Sequence, residues 1–187
     1  VKSESKAIFE RMAIAEGAVH GRDYKKAVFH EIGSDDAIFD VVAATTGILR
    51  LKKEGYRFFA TTIRLGSGSI STAHGKLPVP APATLEILKN SNLEVVFEGK
   101  GELLTPTAAA ILAHFCEGKA SFPVYVDTIS YSAGRRSLFR LILAETRSFD
   151  SVAVLETTVD DASGEVLGHA IEEISKTALD VNAIQVI

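Results

Sequence analysis

Asp36 and Asp40 stand four residues apart at the start of a helical pattern, a few residues after His30-Glu31 and Ser34-Asp35. On a helix that spacing puts both carboxylates on one face. If the intervening turn folds back, carboxylate oxygens and one imidazole form a hard or borderline ligand set suited to Mg, Mn, Zn or Ni. A thiolate site is excluded, because Cys116 is the only cysteine. The competing reading is capping, since free N–H groups and the macrodipole favour acidic residues in a first turn. Asp35 fits capping well; Asp40, between Phe39 and Val41, fits it less. A second acidic group, Glu156, Asp160, Asp161 and Glu165, gathers where a strand-like run turns into a helix-like one. Such charges repel unless a cation or basic partner neutralises them, so Glu156 and Asp160 are candidate cation ligands. A helix cap at Asp161 or Ser163 is the alternative.

Two further groups suit anions. Gly66-Ser67-Gly68, followed by Ser69, Ser71, Thr72 and His74, combines glycine with hydroxyls at the end of a strand-like run, where backbone N–H groups can wrap an anion. It lacks the final glycine of a dinucleotide fingerprint and the Gly-Lys-Ser/Thr of a Walker loop, and a plain glycine turn explains it as well. Thr105-Pro106-Thr107 opens an alanine-rich helix, where capping or a phosphate contact would use the same free N–H groups. His114 and His169 read as partly buried or surface histidines. No Ser-His-Asp or Cys-His arrangement assembles.

The elements that must position these residues follow from periodicity. Ile8, Met12, Ala15 and Val19 recur at helical spacing over Ser5 to Val19, and Ile38, Val41, Val42, Thr45 and Leu49 mark a core helix over Asp35 to Lys53. Val28 to Ile32 is a short apolar run. Arg57 to Leu65 and Glu94 to Glu98 read as strands, Thr105 to about Glu117 as a helix, and Val124 to Tyr131, Leu138 to Glu145 and Val152 to Val159 as strands. Pro78, Pro80 and Pro82 alternate after His74-Gly75, so residues 77–82 are predicted to form a stiff polyproline-like rod that presents His74 and feeds a helix at Pro82. The order strand 152–159, helix 162–176, strand 180–187 is a βαβ candidate. The expectation is an α+β fold, a mixed sheet with packed helices, over 1–148, with 149–187 the start of a C-terminal βαβ domain.

At 187 residues and 47% hydrophobic, the chain can bury a full core. A net charge of −4, with basic residues only in isolated pairs, argues against nucleic acid as partner. No stretch reads as a signal peptide or a membrane span, and the expected compartment is the cytoplasm. Both ends read as cut, so neighbouring segments are expected.

Taken in order, His30 to Asp40, Gly66 to Glu86, Glu102 to Leu112 and Glu156 to Gly168 resemble the LarC family, the nickel insertion proteins of the nickel-pincer cofactor. The resemblance runs from Ala7 to Val181, and its most specific part is His-Gly-x-x-Pro-x-Pro-Ala-Pro-Ala-Thr at 74–84. It implies nickel insertion, a cyclometallation, into a pyridinium bisthiocarboxylate mononucleotide, with CTP and Mn or Mg as co-substrate. The partners implied are thus a nucleotide and a nicotinate-derived cofactor precursor, with a homo-oligomer left open. On this resemblance His30, Glu31, Asp36, Asp40, Glu156 and Asp160 would hold metal, and Gly66, Ser67, Gly68, His74, Thr105 and Thr107 would meet phosphates. Ala108, Thr158 and Ser130 depart from the family pattern. The alternative is a non-catalytic metal- or nucleotide-binding module of cofactor assembly.

Overall fold

The computed structural model describes residues 1–24, 34–72, 75–133, 138–146 and 163–177. Helix α1 (Lys2–His20) ends at Gly21, whose φ of 62° is the left-handed conformation that closes a helix. Its Ile8, Met12 and Ala15 are buried; Val19, in the last turn, is exposed. Helix α2 (Asp35–Lys53) begins where the Ala37 N–H donates to Ser34 Oγ at 3.3 Å, with acids in its first turn and bases in its last. It packs on α1, yet only part of its apolar stripe is covered. Val41 and Thr45 are buried, whereas Ile38 and Val42 are exposed and Phe39 is 70% exposed. The stripe is wider than the surface that meets it, which corrects the expectation of a core helix.

The strand predicted over Arg57 to Leu65 forms a regular ladder only in β1 (Ile63–Arg64). The chain continues through β2 (Gly66–Thr72), β3 (Gly75–Val79), α3 (Pro82–Leu88), β4 (Val95–Val96), β5 (Gly101–Glu102) and α4 (Pro106–Phe115), and then through the hairpin β6 (Tyr125–Ala133) and β7 (Leu138–Glu145). β1 pairs parallel with β4, β2 lies between antiparallel β3 and β5, and β6 pairs antiparallel with β7. Beyond these ladders, Phe58 and Ala60 exchange hydrogen bonds with Glu117, Gly118 and Ala120, while Ile63 and Leu65 donate to Glu94 and Val96. Bonding groups on an extended strip alternate sides, so residues 58–65 run between 117–120 on one edge and 94–98 on the other.

The proline block is a paired strand. Gly75–Val79 lies along β2 with Pro78 opposite Ser69, and Val79, Pro80 and Ala81 are buried before Pro82 opens α3. Polyproline and β backbones occupy the same φ region, so the expected rod and the observed strand differ mainly in having a partner. Proline fits because β3 is an edge strand and position 78 falls where no N–H is required toward β2.

Ile8, Met12, Ala15, Val41, Leu65, Ile87, Leu88, Leu104, Ala109, Ala110 and Phe115 form the buried cluster. It joins α1, α2, α3 and α4 to the central strip. The architecture is α+β, with small open sheets. The chain divides into two compact units, Val1–Arg147 and Ser148–Ile187. The second is described through α5 (Gly164–Thr177), where Lys176 pairs with Glu172 and Glu173 at 3.1 and 3.2 Å. The strands predicted over 152–159 and 180–187, and the run at Val28 to Ile32, lie outside the described residues.

Candidate functional site

The parallel strands β1 and β4 end side by side, and the predicted anion-binding residues cluster past their carboxyl ends, where open α/β sheets bind ligands. Gly66 N–H donates to Glu98 O at 3.0 Å, and Leu103 N–H to Leu65 O at 3.3 Å, so the start of β2 and the approach to α4 meet there. Gly66 and Ser67 pair with Glu102 and Gly101. The approach is close: a Cβ on Gly66 would stand 1.9 Å from the Gly101 carbonyl oxygen, at a φ of +86°. Gly66 is therefore required by packing. Ser67 Oγ donates to Gly99 O at 2.7 Å, which commits that hydroxyl to the backbone. Gly68, at φ +106°, has open space around it. The three residues begin a strand instead of forming the expected loop.

Thr105 and Thr107 open α4 two residues after the Leu103 contact. Ala108 N–H donates to Thr105 Oγ1 at 3.3 Å and Pro106 occupies the first turn, so Thr105 is an N-cap with a contribution of about 1 kcal/mol. Thr107 is half-buried. Gly66, Ser67, Gly68, Thr105 and Thr107 are thus brought to one end of the central strip; His74 lies outside the described residues.

The predicted metal ligands are less gathered. Asp36 and Asp40 sit one turn apart on α2, both exposed. His30, Glu31, Glu156 and Asp160 lie outside the described residues. Among the described residues no group of three or more His, Cys, Asp or Glu is placed to hold a metal ion.

Several charged contacts have no local signature in the sequence because their partners are far apart along the chain. Arg57 forks onto Glu117, with Nε donating to Oε1 and Oε2 at 3.0 and 3.1 Å. Glu94 accepts from Lys119 at 2.6 Å and from Thr62. Hydrogen bonds from Arg57 hold Glu117 below the usual glutamate range, those from Lys119 and then Thr62 do the same for Glu94, and Arg57 is raised by Glu117. All three groups are on the surface and join the strip at 57–62 to its two neighbours. His114 Nε2 and Glu4 Oε2 lie 2.7 Å apart, tying α4 to α1. Burial pushes the Cys116 thiol up, which disfavours the thiolate a nucleophile needs.

The family model described as nickel insertion protein matches residues 1–187. The chain belongs to that family. It is 56% identical over 179 residues to a protein of Archaeoglobus fulgidus named for nickel insertion, covering 93% of this chain and 45% of that one. A similarly named protein of Methanosarcina mazei is 46% identical over 195 residues, covering 97% and 48%. A pyridinium-3,5-bisthiocarboxylic acid mononucleotide nickel insertion protein of Desulfitobacterium hafniense is 38% identical over 197 residues, covering 97% and 49%. The chain therefore spans about half the length of the curated relatives it matches. No solved structure matches it significantly. For this nickel insertion family chain, no helix among the described residues is long and apolar enough to cross a membrane.

Proposed function

We propose that the chain takes part in inserting nickel into a pyridinium bisthiocarboxylate mononucleotide, with CTP and Mn or Mg as co-substrate, in the cytoplasm. The observation that carries this reading is its similarity, over 97% of its length, to the relative whose name states that substrate. Nickel is cargo here, and the organic precursor is the acceptor. On this reading the end of the central strip, with Gly66, Ser67, Gly68, Thr105 and Thr107, receives phosphate groups, and His74 is a further phosphate contact. Asp36 and Asp40 supply hard oxygen donors one helical turn apart, a chemistry that fits Mg or Mn, with His30 and Glu31 as further ligands; Glu156 and Asp160 are candidate ligands of a separate cation. A bound divalent ion would neutralise nucleotide phosphates. Residues 1–148 then form the LarC-like central domain and 149–187 part of a C-terminal βαβ domain.

A module that binds metal or nucleotide without turnover is the second reading. Incubating the chain with CTP, MnCl2, nickel and the precursor separates the two. Release of CMP or pyrophosphate with nickel appearing in the organic product is expected for the enzyme. Binding of nickel or nucleotide without either product establishes the module, and absence of all binding overturns both. Replacing Asp36 and Asp40 together by alanine should weaken Mn binding; unchanged binding by a folded variant removes them from the ligand set.

A further inference from the structure

The pairing of β2 with β3 sorts the residues after Gly66 into two faces. Ser69 lies opposite Pro78 and Ser71 opposite Lys76, so these four side chains share one face, and all four residues are exposed. Ile70 lies opposite Leu77 and Gly68 opposite Val79; Ile70 and Leu77 are half-buried and Val79 is buried on the other face. The ribbon is thus held by its apolar face and presents hydroxyls and one ammonium to solvent. Proline at 78 requires the Ser69–Pro78 pair to be one without ladder hydrogen bonds. Ser71–Lys76, two positions on, is then of the same kind, the type in which opposed side chains stand closest. Glu102, the acid on the neighbouring strand, is paired with Gly66 and lies outside the β2–β3 ladder. Among the described residues the hydroxyls of Ser69 and Ser71 and the ammonium of Lys76 have no side-chain partner, whereas the nearby Ser67 hydroxyl is already committed to Gly99.

We infer that Ser69, Ser71 and Lys76 form a phosphate-binding face on the β2–β3 ribbon. A lysine supplies a compact positive charge, two flanking hydroxyls donate hydrogen bonds, and no carboxylate of the ladder shares the face. The face begins at the carboxyl end of the central strip, beside the residues assigned to phosphate above. This inference rests on that reading for its ligand class. The shared chemistry is a phosphate ester, and either the mononucleotide precursor or the nucleoside triphosphate can provide it.

The test is calorimetric titration of the whole chain with nicotinate mononucleotide and, separately, with CTP and Mg, using the corresponding ribosides as phosphate-free controls. Lys76→Gln should weaken the phosphorylated ligand about tenfold or more, a charge-assisted bond being of order 1.5–3 kcal/mol. Ser69→Ala with Ser71→Ala should weaken it further, with riboside binding unmoved. Loss confined to the mononucleotide assigns the face to the precursor; loss confined to CTP assigns it to the co-substrate. If the wild type shows no preference for the phosphorylated ligand, or Lys76→Gln binds both probes as the wild type does, the inference fails. In the latter case Lys76 only protects a sheet edge, and the variant should aggregate more readily. Nickel transfer is a separate measurement, so its failure would overturn the proposed function while leaving this binding result standing.

Discussion

Two glycines two residues apart at the start of β2 are held for different reasons. At Gly66 an added Cβ meets a carbonyl oxygen at 1.9 Å and the backbone is left-handed; at Gly68 the backbone is left-handed but nothing lies within 4 Å. Gly66→Ala is therefore expected to lower stability by about 3 kcal/mol or more, and Gly68→Ala by about 1–2 kcal/mol. Urea unfolding of both variants checks the order; equal losses would show that strain alone, without the Gly101 contact, sets the cost. The spacing of these glycines was legible in the sequence, but their meaning was not, because the contact on Gly66 comes from a residue thirty-five positions later. Thr84 gives the opposite sign. It is fully buried in α3, and among the described residues its hydroxyl has no hydrogen-bond partner. Thr84→Val replaces that hydroxyl with a methyl of similar size, and should raise stability by about 1 kcal/mol, read as a higher thermal midpoint.

At the scale of elements, the Arg57–Glu117 ion pair ties the central strip to one neighbour, and Glu94 on the other accepts from Thr62 of the strip and from Lys119. Glu94 and Glu117 both have lowered pKa values in the fold, so the stability they add is present above the ordinary glutamate range and is lost as pH falls through their lower folded values. The wild type should lose stability across that acidic window more steeply than Glu117→Gln, whose curve lacks one of the two contributions. Parallel curves in thermal melts between neutral pH and about pH 3 would refute the assignment. Element boundaries were legible where local pattern set them: α2 was read correctly over Asp35 to Lys53, and β7 over Leu138 to Glu145. Helix α4 was read two residues too long, because Cys116 leaves the helix for extended backbone as the chain joins the strip. The proline block was read as extended but not as paired, since its partner strand is invisible to a local pattern.

Across the molecule, the β6–β7 hairpin stands apart from the buried cluster. Val126, Ile129, Tyr131, Leu138 and Ile142 share one of its faces by register and are all exposed, Leu138 by 63%. Replacing Tyr131 and Leu138 together by serine should change the unfolding free energy by less than about 1 kcal/mol, because neither side chain is removed from a packed site. The same variant should bind less of a hydrophobic dye and self-associate less in sedimentation. A large loss of stability would mean that these residues are covered within the folded chain. The fold class and the succession of elements could be read from periodicity, as could the family from its spaced motifs; which apolar stripes stay open could not, because coverage depends on elements distant in sequence.

The position of residues 58–65 between two later segments also dictates an order of assembly. One edge of this strip waits for residues 94–98, beyond α3, and the other for residues 117–120, beyond α4, so both closures span long loops. Helices α1 and α2 can form from local contacts well before that, and the long-range closures cost loop entropy that only the finished cluster repays. Completion of the strip should consequently be the late step of folding. In pulse-labelling hydrogen exchange, the amides of Ala60, Ile63 and Leu65 are expected to gain protection after those of α1, and early protection of the strip would reverse that sequence of events.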